Sequence, residues 1–251
     1  ADVALFSNVQ HVTHLKAGRR VRGETQPVVI SHTPMVIVVR QGNPAGIAEY
    51  ADLAQPGLQV LHADPRISGA GQWAVLAEYG SSFLPFGDRA AGEAQLETIW
   101  RNVRLLGTSA RAAMTLFDLG AGDAFVTYEH DALLARERGA SLEIVVPPRT
   151  IVARYVAVIV DDNMTPGERP VAQAFLDYLL SETGQQTLSS YHLRPADLEG
   201  AQFPGVSEPF TVDDLGGWSQ AYTQLVEGLW QAEIEPRLHL ESAPRVLGTG
   251  G

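Results

Sequence analysis

Apolar positions concentrate first at residues 35–39, Met-Val-Ile-Val-Val, an unbroken and mostly β-branched run closed by Gly42-Asn43-Pro44. That pattern predicts a strand buried on both faces and stopped by a turn. Shorter strand-like runs are "ADVALFSNV" at the start, which ends in a polar turn, then "LQVLHA", "VRLL", "AFVTY", "LEIVVPP" and "ARYVAVIV". Helical spacing lies between them. "IAEYADLAQPG" predicts a short helix ended by Pro56-Gly57. A helix from Ser68 carries Trp73, Leu76 and Ala77 on one face and is expected to stop at Gly80. Residues 81–91 read as loop and residues 93–101 as helix. "TSARAAMTLFDLG" turns Ala113, Leu116 and Phe117 inward and ends on Gly120; "EHDALLARERG" is again capped by glycine. "PVAQAFLDYLLSETGQQTLSS" reads as an amphipathic helical region interrupted at Gly184, and Trp218, Tyr222, Leu225 and Leu229 form a core stripe at helical spacing. The pattern weakens after Trp230, and residues 248–251 are expected to be disordered. Strand and helix alternate from residue 35 to 146, the signature of a parallel α/β sheet.

Composition narrows the function. The 251 residues suffice for two lobes. The longest apolar run is far too short to cross a bilayer. The chain opens on Ala1-Asp2-Val3 without Met, which predicts either a processed start with an export signal removed or a trimmed one. The absence of cysteine excludes disulfides, thiolate-bound zinc and thiol catalysis. A net charge of -11 and a single lysine, Lys16, argue against nucleic acid as a partner. Arg19-Arg20-Val21-Arg22 reads as a solvated turn.

Two readings compete for Gly69-Ala70-Gly71-Gln72-Trp73-Ala74. It fits the G-x-G-x-x-A loop of dinucleotide-binding folds. Yet there the first glycine follows the strand almost directly, whereas residues 64–68 intervene here, and Glu93, at the spacing of the ribose-binding acid, falls where a helix is predicted. The other reading is an anion cradle. The first N–H groups of a helix lack partners and carry partial positive charge; Ser68 adds a hydroxyl and Gly69 admits close approach. Alternatively, Ser68 merely caps its own helix. A second strand-to-helix junction, Ser109-Ala110-Arg111, repeats the arrangement. In a parallel sheet both helix starts lie at the carboxyl edge, where such folds bind ligands. Arg111 either contacts an anion or pairs with an acid. Tyr128, ending "AFVTY", offers a phenol or an aromatic wall to the same edge, or is a core tyrosine.

The remaining chemistry is sparse. His11 and His14 have metal-ligand spacing without a nearby carboxylate and read as a surface pair. No G-x-S-x-G motif is present, and Glu129 and Asp131 read as helix N-terminal charges. No enzyme, cofactor or metal site is expected.

Three segments, "NPAGIAEYADLAQPGLQVLHADPRISGAGQWAVLAEYG", "NVRLLGTSARAAMTLFDLGAGDAFVTYEHDALLA" and "YHLRPAD", together resemble the sulfate/thiosulfate-binding proteins of ABC importers, in the same order over roughly residues 1–218. The resemblance implies an α/β fold of the type II periplasmic-binding-protein class: two α/β lobes, a two-strand hinge at residues 33–39 and 154–160, and an anion in the cleft. Lobe I would comprise residues 1–38 and 155–251; lobe II, residues 39–154, would carry the anion-binding helix starts. It implies a tetrahedral oxyanion as ligand, an ABC permease as partner and a periplasmic or extracellular location. The family's Ser-Gly-Gly loop falls on Ser68, Gly69 and Ala70. Its Ser-Gly-Ala-Arg segment falls on Thr108, Ser109, Ala110 and Arg111, with Ala110 giving its N–H to the anion, and its cleft tryptophan on Tyr128. The family's chains begin with further strand–helix units that supply an Asp and a Ser of the site. Lobe I is therefore expected to be incomplete, with a sheet edge open to a partner or a second copy. The alternative of a sensory or interaction domain completed in that way stays open. The overall charge does not forbid an anion, because exposed charges beyond about 8–10 Å are largely screened.

Overall fold

The computed structural model describes residues 1–197, 205–238 and 240. In chain order its elements are β1 (Val3–Phe6), α1 (Gln10–Ala17), β2 (Val28–Arg40), a 3-10 turn (Tyr50–Ala54), β3 (Val60–Ala63), α2 (Gly69–Phe83), α3 (Arg89–Arg101), β4 (Val103–Gly107), α4 (Ala110–Asp118), β5 (Ala124–Tyr128), α5 (Glu129–Glu137), β6 (Leu142–Val145), β7 (Arg149–Ile159), α6 (Arg169–Leu180), α7 (Glu182–Ser190), β8 (Arg194–Pro195), β9 (Glu208–Phe210) and α8 (Gly217–Ala221), which continues as a π-helical run over Tyr222–Ile234.

The predicted buried run is the second half of β2, a 13-residue strand that changes partners along its length. Residues Val28 to Pro34 pair antiparallel with β7, and Met35 to Val39 pair antiparallel with β5. The switch falls at Pro34, which has no N–H to give to either ladder. On the β7 side the sheet is β1-β7-β2 with β8, covered on one face by α6 through Ala172, Leu176 and Leu179, and on the other by Val12 of α1 and by Val21. On the β5 side β5, β3 and β4 run parallel. There α2 and α3 cover one face, while Ala113 and Phe117 of α4 and Ala132 of α5 cover the other. This is an α/β architecture of two halves joined through β2 and β7.

Helix α2 is buried nearly all round. Ala70 to Gly80 have almost no exposed surface, because the helix lies between the sheet, α3 and the π-helical run. A helix in that position is apolar on every face. Its one acid, Glu78, accepts from Trp100 Nε1 at 2.9 Å and lies 3.1 Å from His62 Nε2.

Several sequence expectations need correction. The sheet is mixed: β2 runs against β5, β6 and β7, since the periodicity of a strand carries no direction. Gly80 does not end α2, which runs to Phe83; a Cβ there would stand 2.5 Å from the Phe210 ring. The loop is short, because Asp88 caps α3 by accepting from Ala90 and Ala91 N–H. Gly184 does not interrupt the later helical region. The break is at Ser181, and Gly184 lies inside α7, where a Cβ would meet Tyr178 O at 2.0 Å. "IAEYADLAQPG" is a 3-10 turn, and helical winding continues past Trp230 to Ile234. The glycine caps at Gly120 (φ 95°) and Gly139 (φ 92°) stand as expected. Residues 248–251 lie outside the described residues.

Candidate anion-binding site

The parallel strands bring three junctions to one edge. Ala63 at the end of β3 pairs in register with Gly107 at the end of β4, and Asp64 N–H donates to Gly107 O at 2.8 Å. Helix α2 starts five residues after β3, α4 two residues after β4, and α5 directly after Tyr128 of β5.

The five-residue connection is rigid. Asp64 O accepts from the N–H groups of Ile67 (3.2 Å) and Ser68 (2.8 Å). The Asp64 carboxylate takes Arg66 N–H at 2.9 Å and the Arg66 guanidinium at 2.6–3.1 Å, and Arg66 Nη1 bonds Glu235 Oε1 at 2.7 Å. The cation beside this helix start is thus already paired with carboxylates. Gly71 packs onto the strand end so tightly that a Cβ would meet Ala63 O at 2.3 Å. Both glycines of the G-x-G therefore sit inside the first turn of α2. The first glycine of a nucleotide loop lies in the turn before the helix, and that reading fails on this geometry.

The first turn of α2 faces polar side chains, one of which, Tyr128, has an unbonded hydroxyl. Ser68 is 8% exposed, and its hydroxyl does not cap its own helix. The N–H groups of Gly69, Ala70 and Gly71 find no acceptor in the preceding turn. A Cβ built on Gly69 would stand 2.5 Å from Ser7 Oγ, 3.3 Å from Asn8 Nδ2 and 3.5 Å from Tyr128 Oη. Tyr128 is 4% exposed, and its Oη makes no hydrogen bond. Burial raises the pKa of this phenol, and the adjacent Ser7 hydroxyl offsets only part of the rise. The phenol is therefore a neutral O–H donor at any ordinary pH. An aromatic backing holds the ring: His130 stacks at 5.5 Å, and Tyr155 of β7 meets it edge-on at 5.7 Å. Burial also lowers the pKa of His130, whose Nδ1 lies 3.3 Å from Thr33 Oγ1 of β2.

The second junction differs. Ser109 is exposed, and its Oγ accepts from Ala112 N–H at 3.1 Å, so it caps its own helix. Ala110 N–H remains free of backbone partners. Arg111 is exposed and, with Met114, Asp118 and Arg138, lines an outer groove of about 520 Å³ between α4 and α5. The structure thus brings Ser68, Gly69, Ala70 and Tyr128 together, leaves Ala110 at the neighbouring strand end and sets Arg111 outside. Ser7 and Asn8 were missed; the only sequence signal was the polar pair directly after a strand. His11 and His14 form no metal cluster: His11 packs on Phe6, and no group of three metal-ligating side chains exists among the described residues. No described helix is long and apolar enough to cross a membrane.

Residues 1–194 match the family of bacterial extracellular solute-binding proteins. The chain belongs to that family. It is 30% identical to the sulfate-binding protein of Synechococcus elongatus over 94% of this chain and 71% of that one. It is 35% identical to the Escherichia coli sulfate-binding protein over 74% of this chain and 60% of the relative. It therefore spans about 60 to 71% of the length of these relatives. Among solved structures, the sulfate-binding protein SubI from Mycobacterium tuberculosis superposes with a TM-score of 0.83 at 28% identity, over 90% of this chain and 81% of that one. A periplasmic thiamin-binding protein at 15% identity and a TM-score of 0.66 shares the fold alone. The fold is that of a type II periplasmic binding protein.

Proposed function

We propose that this chain captures a tetrahedral oxyanion of the sulfate or thiosulfate class and serves as the solute-binding component of an ABC importer, outside the cytoplasmic membrane. The observation that carries the reading is the buried, unbonded Tyr128 Oη beside the first turn of α2, where Ser68 leaves its own helix uncapped. An oxyanion there would accept from the Ser68 hydroxyl, the N–H groups of Gly69 and Ala70, and Tyr128 Oη. The partly positive helix start favours negative charge. Ala110 N–H, at the adjacent strand end, is a further donor, and Ser109 holds that turn by capping it. Arg111 serves the second loop from outside rather than touching the anion. The names of the relatives support the same ligand class.

The partner switch of β2 at Pro34 and Met35 supports two halves, but with Met35 to Val38 on the side of residues 39–154 and with Trp218, Leu225 and Trp230 of the C-terminal run packed into that same half's core rather than with residues 1–34. Binding between them would draw the halves together. Titration calorimetry with sulfate, thiosulfate, molybdate and phosphate tests the proposal. At 100 times Kd, a bound anion is expected to stabilise the fold by about 2.7 kcal/mol. No heat with any of the four anions, on a folded sample, overturns it.

A further inference from the structure

We propose that Ser7 is a ligand contact from the opposite half of the cleft, its hydroxyl joining Tyr128 Oη to close over the anion; the inference rests on the anion reading above. Ser7 follows β1, which hydrogen-bonds only to β7 among the described strands, on the far side of the β2 partner switch. Yet the turn it begins is docked on the first turns of α2. Trp73 Nε1 donates to Ser7 O at 2.8 Å, and Asn8 Nδ2 donates to Gln72 Oε1 at 3.1 Å. Gln72 Nε2 in turn donates to Pro65 O at 3.1 Å. A carbonyl only accepts, so Pro65 fixes the Gln72 amide, which in turn fixes Asn8. The relay holds the turn in one register, and that register places Ser7 Oγ over Gly69, where a Cβ would stand 2.5 Å away.

Ser7 Oγ and Tyr128 Oη lie 2.5 and 3.5 Å from the same point, a Cβ built on Gly69, and Tyr128 Oη makes no hydrogen bond. Two hydroxyls side by side at a helix start, one of them fully desolvated, lack only a common acceptor. A buried polar group left unbonded is costly, and an oxyanion on the Gly69 and Ala70 N–H groups would accept from both. Neither donor is charged, which suits a site whose nearby Arg66 is already paired with carboxylates. With Ser7 from one half and Ser68, Gly69 and Tyr128 from the other, binding the anion and closing the halves become one event.

Calorimetry with thiosulfate and sulfate on Ser7→Ala tests the contact. Affinity is expected to fall about 10- to 100-fold, the usual effect of losing a hydrogen bond to a charged group, with the melting temperature of the free protein unchanged. Wild-type affinity in Ser7→Ala overturns the inference and leaves the anion reading standing; no binding by the wild-type chain defeats the anion reading itself. A second measurement does not depend on Ser7→Ala folding well. The chain has no cysteine, so Ser7→Cys introduces a unique thiol. Saturating thiosulfate is expected to slow its alkylation by iodoacetamide at least tenfold, and an unchanged rate sinks the proposal.

Discussion

Glu129 and Arg194 meet in a two-point ion pair, 2.8 Å at each contact, although 65 residues separate them. Both are almost fully buried. The pair ties the start of α5, directly after Tyr128, to β8, which lies antiparallel to β2 with the backbone of Arg194 in register with that of His32. Truncating one partner strands the other charge in a desolvated place, which costs about 3–5 kcal/mol. Arg194→Ala and Glu129→Ala should each lower the unfolding free energy measured by urea denaturation by that amount, and the double variant should lose much less than the sum. Additive losses would show that the two residues act separately.

Ser68 and Ser109 should respond oppositely to the same change. Ser109 caps α4, so Ser109→Ala is expected to cost about 0.5–2 kcal/mol of stability. Ser68 does not cap α2, so Ser68→Ala should leave the free protein as stable as before and weaken anion binding instead. Denaturation and calorimetry on both variants decide the matter. A stability loss in Ser68→Ala would restore the plain capping role.

The same two serines show what was legible in the sequence. Each follows a strand and precedes a helix, so both helix starts and their shared sheet edge could be read locally. What separates them is not local. Ser68 ends a connection braced by Asp64 and Arg66, and its hydroxyl does not cap its own helix. Ser7 and Asn8 were illegible as site residues because their partners, Gly69, Gln72 and Trp73, lie more than 60 positions away. Gly80 and Gly184 misled for a related reason. A glycine that admits a ring or a carbonyl looks, in one dimension, like a glycine that ends a helix.

Tyr128→Phe should separate binding from folding. The buried Oη forms no hydrogen bond, so removing it takes away a desolvated group without breaking a bond. The free variant should be as stable as the wild type or slightly more so. Oxyanion affinity should fall about 10- to 100-fold if the phenol donates to the ligand. Both quantities come from one set of thermal melts with and without thiosulfate. A destabilised free protein would mean that Oη has an internal partner after all.

Acid should expose a second buried carboxylate. Asp161, 8% exposed, accepts from Arg22 N–H and Thr25 Oγ1, each at 2.8 Å, and pairs with Arg169. Burial by itself would raise its pKa; the Arg22 N–H, Arg169 and the Thr25 hydroxyl outweigh burial and hold the group at about 2, against 3.8 for an ordinary aspartate. A carboxyl whose folded pKa is depressed stabilises the fold above its unfolded pKa, and that stabilisation is lost as pH falls through the folded value. The loss is therefore expected between about pH 4 and pH 2. It amounts to on the order of 2 kcal/mol, and less in salt because Arg169 and Arg22 are substantially exposed. Asp161→Asn should be less stable at pH 7 and should show a shallower decline over that acid range. Urea unfolding at several pH values in both proteins measures it, and parallel pH profiles would assign the acid limb to other carboxylates.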